Sequence, residues 1–179
     1  MTRITLIDPQ TATGSTGQHL AQIKNAFGVV PNMFKAVANS PAALASMWGS
    51  FGALAHGRLG AKLGEQIAVA IADRNNCHYC LAAHTGLGRR AGATAEEMAQ
   101  AQRGQSSDPR TAAALSFAIQ VVEKRGEIRP SDVTDLRDAG FDDGEIVEIV
   151  AHIALNLFTN YINVPVDFPG VKLTRTAAA

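Results

Sequence analysis

Residues 64–92 read GEQIAVAIADRNNCHYCLAAHTGLGRRAG, two helical patterns separated by a pair of asparagines. In its first half Ile67, Ala70 and Ile71 recur at the three- and four-residue steps of one helical face, predicting a helix over 61–74. Asn75–Asn76 breaks that pattern. A second helix is expected from Cys77 to Ala91, stopped by Gly92. Two helices joined at so short a break can fold back on each other as an antiparallel pair.

The chain has two cysteines, and both are in this stretch. Two are too few for a disulfide scaffold. At CxxC spacing they form one site, and in a reducing compartment such a pair reads as a redox dithiol or as half of a metal site. If Cys77 opens the second helix, both thiols lie in or beside its first turn. Unpaired backbone N–H groups and the positive end of the helix stabilise a thiolate there. His84 follows Cys80 by four residues and Cys77 by seven, which puts all three side chains on one face. A histidine one turn from a thiol can take its proton or hydrogen-bond the thiolate. Glu65 precedes Cys77 by twelve residues, on the preceding helix. By position alone it reads as a solvated carboxylate near a helix start. Folded back across Asn75–Asn76, it would orient the imidazole and complete a proton relay.

Working outward, the pattern stays helical. The chain of 179 residues holds 31 alanines, with 6% aromatic residues and no long β-branched alternation. This predicts an all-α fold in one domain spanning 1–179. Residues 1–13 are expected to be an extended arm. Leu20, Ile23 and Phe27 mark a first helix, and Met33, Phe34 and Val37 a short second one. Residues 42–59 read as one helix, broken at Gly60. Thr94 with Glu97 is a capping box opening a short helix. Further helices are expected over 110–124, from Ser131 to Gly140, and from Asp143 to Asn163. Pro165 is expected to end regular structure, leaving an irregular tail over 165–179.

Composition excludes several classes of function. Sixteen basic residues balance sixteen acidic ones, which leaves no net field to draw nucleic acid or an anionic membrane. The longest apolar run, Ile67 to Ala72, is far short of the ~20 residues a bilayer span needs. Residues 1–30 show no signal-peptide pattern, and the expected location is cytoplasmic. A structural zinc site at Cys77, Cys80 and His84 needs a fourth ligand from His56, His78, Glu65 or His152. His56 otherwise reads as a surface or core residue. His152, one position off the Ile149–Ile153 stripe, reads as a core or interface residue. Trp48 and Phe51 read as packing, and Asn156, Thr159 and Asn160 as helix–helix hydrogen bonds first and site-lining groups second.

Glu65, Cys77–His78–Tyr79–Cys80 and His84 together resemble the E-x11-CxxC-x3-H core of the AhpD-like alkylhydroperoxidases, within the carboxymuconolactone decarboxylase superfamily. The ending Asn156–Leu157–Phe158–Thr159–Asn160–Tyr161, then Asp167–Phe168–Pro169, is similar to that of the peroxidase-related branch. The resemblance implies an all-helical subunit assembling into dimers, trimers or hexamers, with thiol-dependent reduction of organic hydroperoxides or hydrogen peroxide and no cofactor. It implies Cys80 as the peroxidatic thiol and Cys77 as a more exposed resolving thiol. His84 and Glu65 would relay the proton through a water, and an external dithiol or lipoyl-type protein would be the reductant. Where some members of the family carry a histidine just before the second cysteine, this chain has Tyr79, a poor base near neutral pH. His78 lies one position earlier and would point about 100° away on a helix. The other readings of the same residues are a dithiol oxidoreductase with a non-peroxide substrate and a zinc-stabilised helical module.

Overall fold

The computed structural model describes residues 4–166. Among them the chain forms nine helices and no strand: α1 (Gly14–Phe27), α2 (Asn32–Val37), α3 (Pro41–Ala55), α4 (Gly60–Arg74), α5 (His78–Arg90), α6 (Ala95–Gln102), α7 (Pro109–Glu123), α8 (Pro130–Asp138) and α9 (Asp143–Val166). No described helix is long and apolar enough to cross a membrane.

Helices α3, α6 and α7 start where a side chain satisfies one of the first N–H groups. Ser40 Oγ accepts from the Ala43 N–H at 3.2 Å, and Asp108 Oδ2 from the Thr111 N–H at 2.8 Å. Thr94 and Glu97 cap each other reciprocally at 3.1 and 2.7 Å, as the capping-box pattern predicts. Each such cap is worth about 1 kcal/mol.

The centre of the arrangement is α4, packed against α5, α6, α7 and α9. The sequence pattern suggested one apolar face. In the structure Leu63, Gly64, Gln66 and every residue from Ile67 to Ala72 are buried. Ala68, Ala70 and Ala72 are small enough for neighbouring helices to close on the remaining sides. Ile67, Val69 and Ile71 join Leu115, Phe117 and Ile149 in one core. A second core gathers Leu20, Ile23, Phe34, Leu44 and Met47 from α1, α2 and α3. Here Phe34 meets Trp48 edge-on at 5.9 Å and Phe51 at 5.7 Å. The long α9 serves both cores, with Ile146, Ile149 and Ile153 in the first and Leu155 in the second. The seam between the two cores therefore runs along α4 and α9.

Two boundaries differ from the sequence pattern, those of α3 and α9. The expected helix over 42–59 ends at Ala55, and α4 begins at Gly60 itself. The cause is distant in sequence: Glu148 Oε2 accepts from the Arg58 N–H at 2.7 Å and the Leu59 N–H at 3.3 Å. A Cβ on Gly57 would sit 2.6 Å from that oxygen. The expected arm is tied down over its described part, with the Ile7 N–H donating to Lys35 O at 3.0 Å and Asn39 Nδ2 to Thr5 O at 2.7 Å. Finally, α9 runs through Pro165 to Val166 rather than stopping at Asn163. A proline in a last turn removes one N–H, and helix ends shift by a residue or two on such small balances. The rest of the expected tail, including Asp167–Phe168–Pro169, lies outside the described residues.

Candidate active site

The turn between α4 and α5 sets the site. Asn75 ends α4, and Asn76 takes the left-handed conformation at φ 53°, which asparagine tolerates. The Asn76 N–H then donates to Asp73 O at 3.1 Å and the Cys77 N–H to Ala72 O at 2.9 Å. Those two bonds form a Schellman stop. It delivers Cys77 directly to the N-cap of α5, where its Sγ lies 3.4 Å from the Cys80 N–H. Asn75 Nδ2 also donates to Asn160 Oδ1 at 3.0 Å, pinning this turn to α9.

Cys77 and Cys80 form a disulfide at the start of α5. Both are buried, with Cys77 4% exposed and Cys80 2%, so in the subunit the expected difference in exposure is slight. They pack against Ala72, Tyr79 and Leu81. Burial pushes the Tyr79 phenol up from its ordinary value, so it stays protonated at neutral pH and does not act as a base. His78 points to solvent.

One turn beyond Cys80, His84 Nδ1 lies 2.7 Å from Glu65 Oε2, with side chains only 14% and 23% exposed. Sequence position alone gave Glu65 to solvent; the helix pairing brings it inside. Gly88 allows this, because a Cβ there would lie 2.5 Å from Met98 Sδ and 3.3 Å from Glu65 Cβ. A carboxylate oxygen accepts, so a ring that carries its proton on Nδ1 donates to Glu65 and leaves Nε2 free to exchange a proton.

This pair borders a cavity of about 200 Å³ in the seam between the cores. Phe51, Leu54 and Leu155 make its apolar side; Glu65, His84 and His152 give it titratable groups. Asn156 and Thr159 also line it, although Asn156 Nδ2 donates within α9 to His152 O at 2.9 Å. Neither cysteine is among its lining residues.

Asn163 is the residue that sequence reasoning missed, and His152, read there as a core or interface residue or a fourth zinc ligand, instead lines the cavity. Gly64 makes room for His152, since a Cβ there would stand 2.9 Å from the ring's Cε1. Burial pushes the His152 pKa down, opposed by the charges of Glu148 and Glu65, so the ring is neutral at neutral pH. Asn163 Nδ2 lies 3.2 Å from Cys80 Sγ. The only signal for either was a polar residue in an apolar helix. His56, by contrast, is exposed at the C-cap of α3. Among the described residues no three His, Cys, Asp or Glu side chains are placed to hold a metal ion. The zinc reading thus lacks its ligand set there.

Residues 41–124 match the model of the carboxymuconolactone decarboxylase family. No protein of curated function matches the chain significantly in sequence. Among solved structures, the chain is similar to an uncharacterized peroxidase-related protein from Silicibacter sp. TM1040. The TM-score is 0.77 at 25% identity, covering 94% of this chain and 93% of that one. It is also similar to an alkylhydroperoxidase AhpD core, peroxidase-related, from Ralstonia eutropha JMP134. There the TM-score is 0.80 at 26% identity, covering 90% and 87% of the two chains. The debrominase Bmp8 in complex with 2,3,4-tribromopyrrole shares the fold at a TM-score of 0.77 and 20% identity, over 92% of this chain and 89% of its own. Glu65, both cysteines and His84 all lie inside the segment that matches the carboxymuconolactone decarboxylase family model, and over nine-tenths of its length the chain is similar to solved structures described as peroxidase-related and as an alkylhydroperoxidase AhpD core.

Proposed function

We propose that the protein is a thiol-dependent peroxidase that cycles its Cys77–Cys80 pair between dithiol and disulfide. One observation carries this reading: a CxxC pair at a helix start, one turn from a histidine that a carboxylate holds at 2.7 Å beside a cavity. Cys80, at the positive end of α5, is the thiolate that attacks the peroxide O–O bond. The S–O bond forms as the O–O bond breaks, giving a Cys80 sulfenic acid and an alkoxide. His84 takes the Cys80 thiol proton as the thiolate forms and passes it to the alkoxide, and Glu65 stabilises the imidazolium between the two transfers. The Cys77 thiol then condenses with the sulfenic acid, releasing water and leaving the disulfide. An external dithiol or a lipoyl-type protein returns two electrons and two protons to the pair.

In this scheme Tyr79 donates hydrogen bonds, and His152, which also lines the cavity, offers it a neutral imidazole. We place the protein in the cytoplasm, as a homo-oligomer. Val147, Val150, Ala151, Ala154 and Tyr161 form one exposed apolar stripe along α9 that suits a second copy. A solution mass of one chain by light scattering would refute the assembly.

Replacing the thiols separately tests the roles. Cys80→Ser is expected to abolish peroxide consumption, whereas Cys77→Ser undergoes one oxidation and stalls at the sulfenic acid. Equal residual turnover in the two variants would contradict the assignment. The apolar wall of Phe51, Leu54 and Leu155 supports a second reading, in which the same dithiol reduces a non-peroxide organic substrate. Turnover with a small disulfide but none with a hydroperoxide would select it.

A further inference from the structure

Asn163 comes from the far end of α9 and is buried. Its Nδ2 lies 3.2 Å from Cys80 Sγ and 3.6 Å from Met33 Sδ. Neither a disulfide sulfur nor a thioether can donate, so chemistry fixes the amide with its NH2 toward both. Among the described residues its Oδ1 is buried without a hydrogen-bond partner. An unsatisfied buried acceptor is costly, and a leucine would fill this volume without that cost. Packing is therefore a poor reason for an amide here. The two sulfurs it faces are weak acceptors as a disulfide and a thioether. A thiolate at the Cys80 position is a strong one, because a hydrogen bond to an ionised acceptor is roughly twice as strong as a neutral one.

The geometry points to Asn163 as the residue that sets the acidity and reduction potential of the Cys77–Cys80 pair, by donating a hydrogen bond to the Cys80 thiolate of the reduced protein. This rests on the dithiol reading of the pair but not on peroxide being its oxidant. When an external dithiol reduces the pair, its two electrons break the S–S bond and the donor becomes a disulfide. Cys77 takes one of the donor's two protons and the other goes to solvent. Cys80 is left as the thiolate facing Asn163. The titratable groups around it are Cys77, Tyr79 and His84 on α5, with Glu65 of α4 bound to His84. Toward the cavity α9 adds His152, while α2 brings the neutral Met33.

The test is the pH profile of Cys80 alkylation in the reduced, desalted full chain, located by mass analysis, together with equilibration in dithiol redox buffers. Asn163→Leu is expected to raise the Cys80 midpoint by about one to two pH units, a tenfold to hundredfold weaker acid. Each tenfold loss of the reduced form corresponds to about 30 mV, so at a pH above the variant's midpoint the potential moves to more negative values by about 30–60 mV. Met33→Leu removes the neighbouring sulfur and leaves the Cys80 contact, so its midpoint is expected to match the unaltered protein's. An unchanged midpoint in Asn163→Leu overturns the proposal. So does an equal shift in Met33→Leu, which would mark a packing effect. Should Asn163→Leu not fold, the unaltered protein still decides, because a Cys80 midpoint at or above the ordinary value of about 8.5 also overturns it. A shifted midpoint in a protein that never turns over peroxide would sink the peroxidase reading and leave this one standing.

Discussion

Glu65→Gln removes one charge from the proposed relay and keeps its shape. In the native site His84 Nδ1 and Glu65 Oε2 are 2.7 Å apart, with side chains 14% and 23% exposed. Both are below the exposure at which solvent would screen the pair substantially. A hydrogen bond to a charged partner contributes about 1.5–3 kcal/mol and a neutral one about 0.5–1.5 kcal/mol. The variant therefore loses about 1–2 kcal/mol at the moment the ring carries the proton it delivers to the leaving alkoxide. That difference slows the step about 5- to 30-fold. The glutamine can also turn its NH2 toward Nδ1, which reverses the tautomer of the neutral ring. The assay is the rate of thiol loss in a single turnover with an organic hydroperoxide, with the melting temperature as the check on folding. A Glu65→Gln rate within twofold of the unaltered protein, alongside a slow His84→Ala, would remove Glu65 from the relay.

Two further outcomes follow from the same geometry. Gly64→Ala is expected to fold, because alanine in a helix interior gains about 0.5–1 kcal/mol over glycine, yet its Cβ would stand 2.9 Å from His152 Cε1. The displaced ring should raise KM for a hydroperoxide with little change in melting temperature; an unchanged KM would mean His152 does not shape the cavity. In acid, stability should fall through the helix starts. Glu97, Asp108, Asp132, Asp142 and Glu145 all sit there, held below the ordinary carboxylate range by hydrogen bonds to Lys62, Thr111, Arg129, Arg58 and the Asp142 backbone respectively. Because their folded pKa values are lowered, the stability they contribute is complete above about pH 5 and lost as pH falls through those lowered values. A melting temperature that stays level down to pH 3 would contradict this.

Much of this arrangement is written locally in the chain. The capping box at Thr94 and Glu97, the Asn75–Asn76 stop and the shared face of Cys80 and His84 need only neighbours a few residues away, so spacing reveals them. Glu65 shows where that reasoning ends. Its own helix says solvent, and only the pairing of α4 with α5, with Gly88 letting them close, turns it toward His84. The resemblance to a known motif supplied what periodicity lacked. His152 and Asn163 reach the site from α9, more than sixty residues along the chain from His84. No local pattern distinguishes them from other polar residues in that helix. The early end of α3 has the same origin, since Glu148 sets it from a distance.

The central claim, a peroxide-driven dithiol–disulfide cycle at Cys77 and Cys80, is tested most directly by one titration. Thiols are counted in the reduced protein before and after one equivalent of an organic hydroperoxide, and the peptide holding residues 77–80 is weighed. The account expects two thiols and two mass units to be lost and an added dithiol to restore both. Two thiols that survive the peroxide unchanged would contradict it.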